Sequence, residues 1–209
     1  NLGKELEHRD FVISAPAGLS SVKAKVIGVI ENQAPTKALE FDLPVEQGEV
    51  RVEGDVCYLS LVERHRGTGA VVNGFVSGFG YTGSMAIASS VAHDSHHMIV
   101  VGTNQEMMAS AANRLGEIGG GVSVWKDGSE VALVELPIAG LMSDSKASEV
   151  AVKAQAIVTA MIDCGCTLNN AYMQHTLLAL VVIPELRISD LGLVDVNRFE
   201  LTKIIETNS

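Results

Sequence analysis

Between residues 67 and 83 the chain holds six glycines in seventeen positions: Gly67, Gly69, Gly74, Gly78, Gly80 and Gly83. Glycine has the most backbone freedom to lose and no side chain to pack. A stretch this rich in it suits neither a helix nor a regular central strand. The backbone there must turn sharply, or something must approach it closely. Any fold has to be built around that joint.

Upstream of the joint, β-rich and partly alternating runs at Phe11–Ile13, Lys23–Ile30 and Glu49–Val52 predict short strands. Pro16, Pro35 and Pro44 punctuate them. Cys57–Val62 predicts another strand, and downstream Ile99–Val101 a buried one. Thr103 and Glu106 have the spacing of a capping box. Met107, Met108, Ala111, Leu115 and Ile118 then form one apolar helix face, which Gly119–Gly121 would end. Val122–Leu136 predicts a hairpin turning at Asp127-Gly128, because both turn residues must tolerate positive φ. A second helix is predicted from Ala147 to Asp163, closing at Gly165. Residues 170–183 fit helix or strand, and Pro184 closes them. Strand pairs alternating with separate helices imply an α+β fold, with a largely antiparallel sheet and helices packed on one face. Hydrophobic residues make up 47% of the chain but aromatics only 4%, so Val, Ile, Leu, Ala and Met must fill the core. Residues 1–209 read as one region, with a weak sub-boundary near residue 55.

The formal charge is -10, and the 15 Lys and Arg are scattered. Such a surface repels a phosphate backbone, so no nucleic-acid partner is expected; a small neutral or weakly basic ligand fits better. No apolar run reaches the roughly 18 residues of a membrane span, so no membrane partner is expected. The charged start, NLGKELEHRD, is unlike a secretory leader. With no initiator Met, the chain is expected to be part of a longer protein. Cys57, Cys164 and Cys166 are irregularly spaced, which predicts reduced cysteines, two of them near a helix end, and a cytoplasmic setting.

Chemistry concentrates in Ser89-Ser-Val-Ala-His-Asp-Ser-His-His97, which holds three of the six histidines. Imidazole binds metal, moves protons or hydrogen-bonds a heterocycle. On a helix His93, His96 and His97 would share one face, whereas the segment leads into Ile99–Val101 and reads as a loop or strand entrance. Loops carried by a rigid scaffold often hold binding groups. Gly78-Phe-Gly-Tyr-Thr-Gly83 matches the dinucleotide fingerprint in its letters. It lacks an acidic residue about 20 positions on, and a helix after it would have to absorb the histidine segment. Glu63-Arg-His-Arg66 before Gly67 suggests an anion contact or a salt-bridged turn. Asp144 reads as a helix-start residue. The zinc nucleobase-deaminase signature is missing, as are HExxH, GxSxG and the P-loop.

Taken in order, several strings resemble one family. They are Val62-Glu-Arg-His65 with Gly67-Thr-Gly69, Gly74-Phe-Val-Ser-Gly-Phe-Gly80, Ala86 to His96, Ile99-Val-Val-Gly-Thr-Asn104, Gly119-Gly-Gly121, Leu136 to Asp144, and Val182-Ile-Pro-Glu-Leu186 leading to Gly192-Leu-Val-Asp195. The chain is similar to the carboxy-terminal region of microbial adenine deaminases of the amidohydrolase superfamily. The resemblance implies conversion of adenine and water to hypoxanthine and ammonia. It implies a divalent metal, Mn or Fe, held by HxH ligands on a (β/α)8 barrel amino-terminal to the matched region. This chain has no HxH, so no metal ligand is assigned to it. The implied partners are adenine and the barrel domain of the same enzyme, and a homo-oligomer is expected.

Within that frame, His93 and Asp94 are the candidate catalytic residues, and Ser90, Ser95 and His96 the candidate substrate contacts. Such a loop would cap the barrel mouth and meet the purine edge, leaving His97 out. Two other readings remain: a purely structural or oligomerisation domain, and a small metal-binding module using His93, His96 and His97.

Overall fold

The computed structural model describes residues 2–206. A short 3-10 turn, His8–Phe11, comes first. In order there follow β1 (Ser21–Val29), β2 (Thr36–Glu46), β3 (Glu49–Val50), β4 (Val56–Val62), β5 (Val71–Ser77), β6 (Met85–Ser89) and β7 (Met98–Gly102). Then come α1 (Gln105–Ile118), β8 (Gly121–Lys126), β9 (Ser129–Glu135), α2 (Ala147–Asp163) and α3 (Ala171–Leu177). The last elements are β10 (Leu186–Ser189), β11 (Gly192–Asp195), β12 (Glu200–Thr202) and β13 (Ile205–Glu206). The main sheet has the order β3-β2-β1-β5-β4-β7-β6-β8-β9, with β13 added beside β1. Among the described residues only β1 and β5 run parallel; the other pairs are antiparallel. Strands from both sides of residue 55 share this sheet. A small antiparallel sheet, β10-β11-β12, lies beside it.

The fold is α+β with a largely antiparallel sheet. Its helices divide between two faces, where the sequence reading gathered them on one. The cause lies in the strands. Every residue of β4, β6 and β7 is buried, and a strand turns successive side chains to opposite faces. Two apolar faces therefore need cover. Ala86, Ala88 and Val100 join the core containing Met108, Ala111 and Leu115 of α1. Ile87, Ile99 and Val101 join the core containing Ile157 and Met161 of α2 and Ile188 of β10. At ~1.5–3 kcal/mol for each large apolar side chain removed from water, both layers contribute heavily to stability.

The hairpin and α2 fall where the sequence puts them, with Asp127 and Gly128 both at positive φ. The ambiguous stretch after residue 170 begins as α3. Three expectations are corrected. Phe11 ends the 3-10 turn, and near it only a single bridge, Ser14 to Glu49, forms among the described residues. The helix cap is Asn104, whose side chain accepts from Met107 N at 3.1 Å. Thr103 instead donates to Gly83 O at 2.6 Å and accepts from Met85 N at 3.0 Å, tying the helix start to β6. Finally, the glycine-rich joint contains a strand. Gly67 and Gly69 precede β5, Gly78, Gly80 and Gly83 follow it, and all five have positive φ. Gly74 alone lies inside β5, where a Cβ would merely touch Ile188 at 3.7 Å.

Candidate functional site

Two loops flank β6. The first, Gly78–Gly83, carries the dinucleotide-like letters, but a strand follows it, not a helix. Its amides do converge on an anion, and that anion is the chain's own. Gly78 N and Gly80 N donate to the two carboxylate oxygens of Asp55 at 2.6 and 2.7 Å, and Ser77 Oγ donates to one of them at 3.2 Å. The cradle is filled by a side chain.

The second loop leaves β6 at Ser89 and returns as β7 at Met98, and its backbone is held at several points. Ser89 Oγ lies 3.1 Å from Tyr172 Oη and accepts from Val91 N at 3.0 Å. His93 N donates to Thr176 O at 2.9 Å, so α3 supports the loop from beneath. His96 N donates to Ala92 O at 2.7 Å, with His96 in the left-handed region at φ 52°. His65 Nε2 donates to Ser95 O at 2.8 Å, and Arg64 Nε to His96 O at 2.6 Å.

The candidate side chains part company here. Ser90 is fully buried; its hydroxyl donates to Gly140 O at 2.6 Å and accepts from Gly121 N at 2.7 Å. It lies in the interior, with its hydrogen-bonding capacity spent on backbone. Asp94 and Ser95 are exposed, and His93 and His96 partly so. The His93 and His96 rings meet edge to face with centroids 5.6 Å apart. Among the described residues, the side chains of His93, Asp94, Ser95 and His96 make no hydrogen bond within the chain. Burial, then the neighbouring His93 and Arg64, push the His96 pKa below the ordinary histidine value. Its ring is neutral at pH 7, with one nitrogen able to donate and the other to accept.

His97 turns to a different neighbourhood. Its ring meets that of His65 at 4.7 Å, and its Nε2 lies 3.7 Å from an Asp190 oxygen, too far for a hydrogen bond. Both line a cavity of ≈ 370 Å³ with Leu61, Thr68 and Val72. The turn that presents His65 is organised by Glu63, whose carboxylate accepts from the amides of His65, Arg66 and Thr68 and from the Thr68 hydroxyl. Burial works against its ionised form, yet those donors outweigh it and hold the carboxyl at about 2. The Glu63-to-Arg66 run is thus a carboxylate-centred turn, not a salt bridge. Below the loop, His175 is fully buried and burial pushes its pKa down to about 4.

The structure brings His93, Asp94, Ser95 and His96 onto one clamped loop, with Ser90 behind it. Among the described residues, no group of three or more His, Cys, Asp or Glu side chains is arranged to hold a metal ion. Sequence reasoning missed the parts of Arg64 and His65, which hold the loop's carbonyls. Asp190 and His175 carried no signal, because only tertiary contacts bring them there. No helix among the described residues is long and apolar enough to cross a membrane.

Residues 33–200 match the family model of the adenine deaminase C-terminal domain. The chain is 68% identical over 209 residues to an adenine deaminase of Ruegeria pomeroyi, covering 99% of this chain and 35% of that protein. It is 69% identical over 207 residues to the adenine deaminase of Roseobacter denitrificans, covering 99% and 34%. To that of Moorella thermoacetica it is 45% identical over 197 residues, covering 93% and 33%. The chain spans about a third of the length of the curated relatives it matches.

Proposed function

Because the chain belongs to the adenine deaminase C-terminal domain family, we propose that it supplies the substrate-side wall of an enzyme that hydrolyses adenine to hypoxanthine and ammonia. One observation carries this. The loop from His93 to His96 has its backbone fastened to α3, Arg64 and His65, while its four polar side chains make no hydrogen bond within the chain among the described residues. Water meets exposed polar side chains such as Asp94 and Ser95; on a backbone held in place, a polar ligand can take that water's position.

Adenine offers ring nitrogens that accept and N–H groups that donate. Neutral His96 can do either, and the Ser95 hydroxyl adapts to both. The Asp94 carboxylate accepts from an N–H of the purine, and His93 is placed to move a proton to or from its edge. Ser90 acts from behind, as a tie between loops. In this reading the divalent ion, manganese or iron, belongs to the amino-terminal barrel of the same polypeptide; among the described residues no three His, Cys, Asp or Glu side chains gather to hold one. The barrel, adenine, a homo-oligomeric assembly and a cytoplasmic setting complete the reading.

In the full-length enzyme, His93→Ala and Asp94→Ala should each lower kcat/KM for adenine by about 100-fold, within the usual range for a lost acid–base or positioning group. Steady-state kinetics alongside thermal unfolding checks this. Near-normal kinetics in a folded variant overturns the reading and leaves a structural domain.

A further inference from the structure

We propose that Arg64 is the positioning residue that locks the histidine loop to the turn at residues 138–142, so that the two form one substrate-facing surface. This rests on the reading that the histidine loop meets adenine.

The half-buried guanidinium spans two carbonyls: Nε donates to His96 O at 2.6 Å and Nη2 to Ala139 O at 2.9 Å. Both acceptor residues lie in the left-handed region, at φ 52° and 58°. Residues with a Cβ disfavour that region and stay in it where the surroundings hold them. One cation therefore fastens both loops at the residues least content to remain there. Gly140 lets it approach: a Cβ at that position would meet Arg64 Nη1 at 2.6 Å. The Gly140 carbonyl is also taken by Ser90, which enters the histidine loop, so the turn is tied from two sides.

Arg64 forms no ion pair among the described residues, so its donors are available to the two carbonyls. The turn closes on itself through Ile138 and Met142, each amide donating to the other's carbonyl at 3.1 Å. It leaves Ile138, Leu141 and Met142 exposed. An apolar rim thus stands in fixed register beside the polar loop. A planar heterocycle needs that pairing, polar groups at its edge and apolar cover at its face. The positive charge beside His96 also helps keep that ring neutral.

The test uses the full-length enzyme with Arg64→Lys and Arg64→Ala. Lysine keeps the charge but lacks the planar fork that spans two carbonyls. Both variants should lose about tenfold or more in kcat/KM for adenine, as a displaced loop would cause. Amide exchange should quicken in residues 93–97 and 138–142 together and not in the strands of the sheet. Ethylguanidinium should restore part of the Arg64→Ala activity, which repair of a merely unstable fold would not do. Unchanged exchange in either segment overturns the proposal. So do loosened loops with parental kinetics: if His93→Ala is then still impaired, only the role of Arg64 falls, and if it is not, the loop's contact with adenine falls too.

Discussion

The loops at the two ends of β6 both carry the letters of a ligand site, and they resolve in opposite ways. In Gly78–Gly83 the amides converge on an anion, and Asp55 of the same chain supplies it. In His93–His96 the amides of His93 and His96 and the carbonyls of Ser95 and His96 are held by the chain itself, and among the described residues the four side chains make no hydrogen bond within it. The first loop is complete as it stands. The second keeps Asp94 and Ser95 exposed and the His96 Nδ1 buried without a hydrogen bond, on a backbone tied at several points. A motif thus indicates a ligand through what remains unsatisfied after folding, not through its letters.

Acid tests the support beneath the second loop, with the largest effect. His175 sits under it, fully buried, with a folded pKa near 4 against an ordinary value of 6.5. Above pH 6.5 it is neutral in both states and contributes no pH dependence. As pH falls below 6.5 the unfolded chain takes the proton and the folded one does not, so stability declines until pH 4. The full loss is roughly 3 kcal/mol. The lowered pKa values of His96 and His97 add in the same direction. In His175→Leu, thermal unfolding between pH 6.5 and 4 should vary less steeply than in the parent. An unchanged slope would remove His175 as the acid-sensitive group.

Ser90→Ala separates support from contact. It orphans the buried Gly121 N–H and Gly140 carbonyl, at a cost of about 2–3 kcal/mol. If Ser90 works only as a tie, the loss shows first in the unfolding temperature, and the residual activity keeps the parental KM. Asp55→Ala should cost somewhat less, about 2 kcal/mol, because water can reach the Gly78 and Gly80 amides it uncovers. Its kinetics should stay within about twofold of the parent, since that loop holds nothing but its own aspartate. A large kinetic effect of Asp55→Ala would erase the contrast between the loops.

The local elements were legible because local chemistry decides them. Asp127-Gly128 and the Ala147–Asp163 periodicity need nothing from elsewhere in the chain. β2 was not legible, since Pro35 and Pro44 read as breaks. Val45 N donates to Ser20 O, so the nitrogen one residue earlier points away from β1, and the proline sacrifices no bond to that strand. β5 was hidden by the glycines that bracket it. Thr103 reads as a cap until β6, which the sequence did not reveal, takes its hydroxyl. The same limit applies to the site. The string His93-Asp-Ser-His96 reads as a loop or strand entrance, and the structure forms a loop there, between β6 and β7. That Ser90 turns inward and Arg64 arrives from the loop after β4 depends on which backbone groups lie within reach, and that follows only from the assembled sheet.

The smallest effect in stability is the most discriminating. Asp94→Asn keeps the size of an exposed side chain that makes no hydrogen bond among the described residues. Its unfolding temperature should therefore move by no more than about 0.5 kcal/mol would cause. The substitution replaces an acceptor-only carboxylate with an amide that donates on one side. If Asp94 receives an N–H of adenine, kcat/KM in the full-length enzyme falls while stability does not, the reverse of what Asp55→Ala gives at the other end of β6. If Asp94→Asn leaves both unchanged, the exposed carboxylate is ordinary surface, and the histidine loop joins the glycine loop as structure alone.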